Sequence, residues 1–230
     1  MNPVLSAEAP PRRRRRFSFA ALLLAGTLSL ILSGCRGHNS RDDAQVRLIN
    51  ALPTDEPISL AIDGKTVTKS RFGDGTRYAG MKAGRYEYQI SGSSGVLRRG
   101  EAEVGKGVRY QLIASPGAHG GLANASLVPV DMLAPEGKAV VTFVQAADCG
   151  APVDLLFNNV VAVPDAALGG SHHSLAIPAG VYDLKANIAD DPNRVLAEIP
   201  FSAAAGRTYL IVLMGRSRAT PIELRVYDDK

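Results

Sequence analysis

The chain repeats itself, and an internal repeat restricts the fold more than composition can. The segment VRLINALPTDEPISLAIDG (46–64) aligns with VTFVQAADCGAPVDLLFNN (141–159) at a constant offset of 95, placing Val46 on Val141, Ala51 on Ala146, Pro57 on Pro152 and Leu60 on Leu155. KAGRYEY (82–88) meets PAGVYDL (178–184), and GVRYQLI (107–113) meets GRTYLIV (206–212), at offsets of 96 and 99. Order is kept and small length changes fall between blocks, where loops absorb them. The pattern is a tandem duplication: residues 45–131 form the first copy, 138–229 the second, and 132–137 a short linker carrying Pro135 and Gly137.

Each copy reads as β-structure. Apolar and polar residues alternate in Ile58-Ser59-Leu60-Ala61-Ile62, Tyr86-Glu87-Tyr88-Gln89-Ile90 and Leu224-Arg225-Val226-Tyr227. Period-2 alternation marks half-buried strands. Asp63-Gly64 between two such runs is a two-residue hairpin signal, because a type I′ turn needs positive φ at both central positions. Asn158-Asn159 stands at the matching point, and Asn tolerates that conformation better than most residues. The fold class expected is all-β: two tandem immunoglobulin-like antiparallel β-sandwich domains of seven or eight strands each. A copy of this length can bury enough surface to fold alone.

The N-terminus predicts an address. Arg12 to Arg16 precede an apolar run from Phe17 to Leu32. The run is short for a bilayer span, which needs about 20 apolar residues. A basic region, a short apolar region and small residues at its end describe a secretory signal. Arg14-Arg15-Arg16-Phe17 also matches a twin-arginine pattern, but five consecutive arginines match it by accident, and a plain basic region is the simpler reading. The run ends in Leu32-Ser33-Gly34-Cys35, which resembles a bacterial lipobox. The resemblance implies residues 1–34 as a lipoprotein signal peptide, cleavage before Cys35, and lipid on Cys35. Residues 35–44 then form a polar tether. Two or three acyl chains on one cysteine hold a protein at a membrane durably, whereas one chain does not. Arg36 rather than Asp after the cysteine resembles outer-membrane lipoproteins, so the expected place is the cell envelope, at the outer membrane if the cell is Gram-negative.

Removing the signal changes the charge. Residues 1–34 carry five of the 26 Lys and Arg and one of the 22 acids, which leaves 21 of each. A formally neutral chain without a basic stripe is a poor nucleic-acid binder, and none is expected as a partner. Arg98-Arg99 reads as a solvated strand face. With Cys35 lipidated, Cys149 has no disulfide partner and no cysteine zinc site can form.

The turns also carry a family likeness. Ala83-Gly84-Arg85-Tyr86, Gly107-Val108-Arg109-Tyr110 and the opening Val46-Arg47-Leu48-Ile49-Asn50-Ala51 with its Asp63-Gly64 hairpin resemble the family catalogued as domain of unknown function 4397. That likeness implies secreted or lipid-anchored bacterial β-sandwiches, often in tandem, and no activity. A weaker likeness, in layout only, is to the periplasmic accessory protein of alginate O-acetylation.

Motifs for chemistry are sparse. G-x-S-x-G, S-x-x-K and H-E-x-x-H do not occur; neither do phosphate-cradling or dinucleotide glycine patterns. His38 lies in the tether, and His119 is the second isolated histidine. His172 and His173 are adjacent; starting a strand, they point to opposite faces and do not share one metal, and Asp165 or Asp183 could join either one without a spacing that fixes the geometry. SGSSG (91–95) reads as a hairpin loop, and Asp190-Asp191 and Asp228-Asp229 as solvated turns. Tyr86, Tyr110, Tyr182 and Tyr209 match between copies and read as core residues with hydroxyls at the rim rather than as a sugar-stacking platform. Neither cofactor nor metal is expected. The expectation is a non-catalytic, lipid-anchored envelope protein contacting the membrane through Cys35 and a protein or glycan through its modules. The alternatives are an accessory subunit of exopolysaccharide modification and an enzyme with a loop-built site.

Radiolabelled palmitate should enter the wild-type protein and not Cys35→Ser; equal labelling of both would remove the anchor.

Overall fold

A computed structural model describes residues 43–117, 122–130, 133–170, 172–216 and 220–229. Cys35, His38 and His119 lie outside them. Both repeats belong to one compact unit, Gly37–Lys230.

The described residues form sixteen strands and no α-helix. Repeat 1 holds β1 (Ala44–Asn50), β2 (Ile58–Ile62), β3 (Lys65–Ser70), β4 (Ala79–Met81), β5 (Gly84–Gly92), β6 (Gly95–Val104), β7 (Arg109–Ser115) and β8 (Asn124–Pro129). Repeat 2 holds β9 (Lys138–Asp148), β10 (Val153–Phe157), β11 (Val160–Ala166), β12 (His173–Pro178), β13 (Gly180–Ile188), β14 (Asp191–Ala203), β15 (Thr208–Arg216) and β16 (Thr220–Asp229). The sheets of repeat 1 run β4-β1-β7-β8 and β3-β2-β5-β6; those of repeat 2 run β12-β9-β15-β16 and β11-β10-β13-β14. Adding eight to each strand number of the first pair gives the second, so the duplication seen in sequence is a duplication of topology. The all-β tandem sandwich stands. Within it, β1–β7 and β9–β15 pair in parallel, and the other pairings are antiparallel. This order differs from an immunoglobulin constant domain, where strands one, two, five and four share a sheet.

The turns explain the register. Asp63 and Gly64 take φ of 47° and 75°, and Asn158 and Asn159 take 50° and 64°, as type I′ hairpins require. Asp63 Oδ1 accepts the Glu87 amide at 3.0 Å and Asn158 Oδ1 that of Asp183 at 2.9 Å, so each hairpin tip is tied to the neighbouring strand. SGSSG is a hairpin, closed by the Gly92–Gly95 pair. Prolines within strands fall on edge strands, as a missing N–H demands: Pro129 on β8, Pro164 on β11, Pro178 on β12, Pro192 and Pro200 on β14, and Pro221 on β16.

Each sandwich has its own core. Leu48, Ile58, Leu60 and Ile90 centre the first; Phe143, Leu155, Leu184 and Ile211 centre the second. A third apolar cluster joins Ile49, Ala51, Ile113 and Val128 of repeat 1 to Val144, Ala146, Leu210, Val212 and Met214 of repeat 2. The β4-β1-β7-β8 sheet and the β12-β9-β15-β16 sheet therefore face each other, and their central strands are buried on both sides. The contact uses equivalent positions: Ile49 corresponds to Val144, Ala51 to Ala146 and Ile113 to Val212. Burying a Val, Leu or Ile side chain contributes about 1.5–3 kcal/mol, so this seam is a substantial part of the fold.

Fragments 44–130 and 138–229 produced separately should bind each other one-to-one, and fragment 44–130 alone should melt well below the full chain. Analytical ultracentrifugation and thermal unfolding test this. A fragment 44–130 that stays monomeric, matches full-chain stability and ignores its partner would count against the shared seam.

Candidate functional site

Polar residues matched between the repeats are engaged in the scaffold. Asn50 Oδ1 accepts the Leu52 amide at 2.9 Å, and its counterpart Gln145 accepts that of Ala147 at 2.6 Å. The Tyr86 and Tyr182 hydroxyls donate to Lys82 and Pro178 carbonyls at 2.8 and 2.7 Å. Those of Tyr110 and Tyr209 accept the Gly105 and Ala204 amides at 2.9 and 3.1 Å. Each tyrosine thus ties down a turn of its own repeat, and Tyr182 and Tyr209 also pack edge-on against Phe157 and Phe201.

The singled-out residues do not converge. His172 is exposed, while His173 is half-buried and paired with Phe143. Asp165 has φ of 51°, its amide held by Asp154 Oδ1 at 2.9 Å. Asp183 is exposed on β13. No three His, Cys, Asp or Glu among the described residues are placed to hold a metal ion. Cys149 is buried, donating to the Ala151 carbonyl at 3.2 Å and accepting from Gln145 Nε2 at 3.4 Å. Arg99 is exposed and donates to Gln89 at 2.9 Å, whereas Arg98 is half-buried.

The reading of Asp228-Asp229 as solvated is half corrected. Asp228 is exposed and pairs with Arg207. Asp229, next along the strand, points the other way and its side chain is only 1% exposed. It accepts from the Tyr78 hydroxyl at 2.7 Å, from Arg47 at 3.2–3.3 Å and from Gln111 Nε2. The Arg47 guanidinium lies 4.9 Å from the Tyr78 ring centroid and 5.8 Å from that of Tyr227; Arg109 lies 5.8 Å from Tyr78. Burial, reinforced by the bond to Asp229, pushes the Tyr78 pKa well above the usual tyrosine range, and burial does the same for Tyr227. Both hydroxyls therefore stay protonated and serve as donors. Tyr227 donates to the Gly73 carbonyl at 2.9 Å. Gly73 has φ of +75°, a conformation that favours glycine, and a Cβ there would meet only the movable guanidinium of Arg225.

Two of the hollows on repeat 1 are lined by several charged side chains. One, of about 640 Å³, sits on the β2-β5-β6 face, where Glu87, Glu101, Gln89 and Arg99 mix both signs of charge. The other, of about 760 Å³, runs between the free edge of β3 and the segment leading into β4. Its polar lining includes Thr68, Lys69, Arg71, Thr76 and Arg77, with Asp74 the single acid and Tyr78 at the end that joins the Asp229 cluster. This groove is where the fold assembles unpartnered charge: Lys69, Arg71 and Arg77 are exposed, and their side chains make no ion pair or hydrogen bond among the described residues. Sequence reading missed it, although the signal, three cations in nine residues, was present.

Fold and surface together define a class: a fused tandem β-sandwich with a basic groove at one open edge. Residues 44–151 match the model of a family, Domain of unknown function (DUF4397), so the resemblance read from the turns is shown over this stretch. The match covers all of repeat 1 and continues through β9, the first strand of repeat 2 and a contributor to the shared seam. No curated protein matches the chain.

Asp229→Ala should destabilise the protein by about 3–5 kcal/mol, the range for removing one partner of a buried pair, while Asp228→Ala should change stability by less than about 1 kcal/mol. Urea unfolding of both variants measures the difference; equal effects would mean that the Asp229 cluster is not holding the repeats together.

Proposed function

We propose that the protein is a lipid-anchored cell-envelope module that acts by contact and not by catalysis. The observation that carries this reading is how the polar side chains are divided. Those shared by the two repeats are engaged in turns and strand ends. Those left over at the groove are hydroxyls, the cations Lys69, Arg71 and Arg77, and one carboxylate, Asp74, a set that binds anionic charge and holds neither a histidine nor a pair of carboxylates for proton transfer. An anchor on Cys35 complements this reading: the tether Arg36–Asp43, ending where β1 begins at Ala44, spans up to about 28 Å when extended, enough to present a two-sandwich body to material near the membrane. Outer-membrane placement, from Arg36, belongs to the same proposal.

The test has two arms. Mild crosslinking in the native envelope should capture a saturable contact, and a hydrolase and transferase substrate screen on the purified chain should show no turnover. Turnover abolished by changing His172 or Asp165, with folding intact, would overturn the contact reading.

A further inference from the structure

Resting on the contact reading, we propose that the groove between β3 and β4 binds an anionic polysaccharide bearing carboxylates along its length. Lys69, Arg71 and Arg77 line one continuous hollow of about 760 Å³ and have no counter-ion of their own among the described residues. The single acid in the lining, Asp74, interacts electrostatically with Arg225 and Tyr227 of the other repeat. The groove therefore keeps a net positive charge in a chain whose formal net charge, without its signal, is zero.

The duplication supplies an internal control. The pairings put Ala166 at the position of Ser70 and a bulge, Pro164-Asp165, at that of Lys69; Ala167 follows where Arg71 does, and His173 stands at the position of Arg77. The same scaffold closes in repeat 2 without any of the three cations, so none is needed to build it. Side chains that a fold does not need, gathered without partners in a concave surface, are best explained by a ligand of opposite charge.

The groove's other features decide among anionic ligands. Recognition of a peptide by strand addition takes free backbone and pockets for alternate side chains. Here the free edge belongs to β3, whose Lys65 and Lys69 discourage strand addition. Between the cations the walls carry the small residues Thr68, Thr76, Pro57 and Ala79 rather than deep apolar pockets. Hydroxyls and small apolar patches suit sugar hydroxyls and C–H faces, and three spaced cations suit a charge repeated along a chain. A single lipid headgroup would engage only part of that row.

The experiment measures binding of an oligogalacturonate of defined length to the full chain in neutral detergent by isothermal titration calorimetry. Neutral dextran, polyglutamate and phosphatidylglycerol vesicles serve as comparisons. Wild type should bind oligogalacturonate, and binding should weaken as salt rises, because exposed charges are screened. Changing Lys69, Arg71 and Arg77 together to Gln should weaken it about tenfold or more, as expected for losing three exposed charge contacts. Arg85, Arg99 and Arg194 changed together to Gln should alter it less than about twofold, being outside the groove. Arg71→Lys with Arg77→Lys should retain most of the binding, which separates charge from folding damage. Equal loss in both triple variants would overturn the site, and tighter binding of polyglutamate or vesicles would overturn the ligand class. No polyanion binding alongside a captured envelope protein would end this proposal and leave the contact reading intact. Cleavage of the oligogalacturonate would end the contact reading itself.

Discussion

The structure depends on one seam, where two equivalent sheets turn their outer faces toward each other. A sandwich normally leaves the outer face of each sheet to water, so its strands alternate. Here β9 is buried at every position from Ala139 to Ala147, and β15 from Thr208 to Gly215. Covering both faces makes a four-layer body from two two-layer ones. It also creates a place where a charge can be held away from water. Asp229 occupies it, and its donors come from three different strands or loops of repeat 1: Arg47, Gln111 and Tyr78. Such a carboxylate adds little net stability against a well-packed apolar alternative, but its loss is severe because three donors are left facing an apolar seam.

What the seam adds is selectivity. Registers place Val130 of repeat 1 at the position of Asp229, Thr142 of repeat 2 at that of Arg47 and Leu210 at that of Gln111. Two copies of repeat 1 could bring their apolar patches together but would bury two arginines with no carboxylate. Two copies of repeat 2 would bury two carboxylates with no guanidinium. Only unlike repeats satisfy the seam, a repulsive element of the kind that separates right from wrong partners.

Much of this fold was legible and the reason is local. Hairpin tips such as Asp63-Gly64 and Asn158-Asn159 report positive φ directly, and period-2 runs such as Tyr86 to Ile90 report a single buried face. The parallel pairing of β1 with β7 was not legible, since partners 64 residues apart, such as Val46 and Tyr110, leave no mark in a local pattern. The seam did leave a mark. The run Tyr209–Met214, apolar throughout, and Ala139–Ala147, broken only by Thr142 and Gln145, are how a strand buried on both faces reads. Asp229 was misread because Asp228 beside it is solvated, and neighbours on a strand face opposite ways. The groove was missed for a different reason: Lys69, Arg71 and Arg77 look like ordinary surface charge until the fold gathers them in one hollow with no ion pair among the described residues.

The separation between Arg47 and Asp229, 182 residues, has a consequence in time. Ribosomes deliver the N-terminal repeat first, and domains generally fold in that order. Repeat 1 completes its own sandwich when β8 emerges, with Ile49, Ile113 and Val128 uncovered and Arg47 lacking its counter-charge. It stays that way until nearly a hundred further residues have arrived, because the carboxylate sits at the close of β16. During that interval the nascent protein carries a sticky, cationic face that its own remaining strands must reach before another molecule does. The short linker at 133–137 keeps the correct partner nearest at the moment it becomes available.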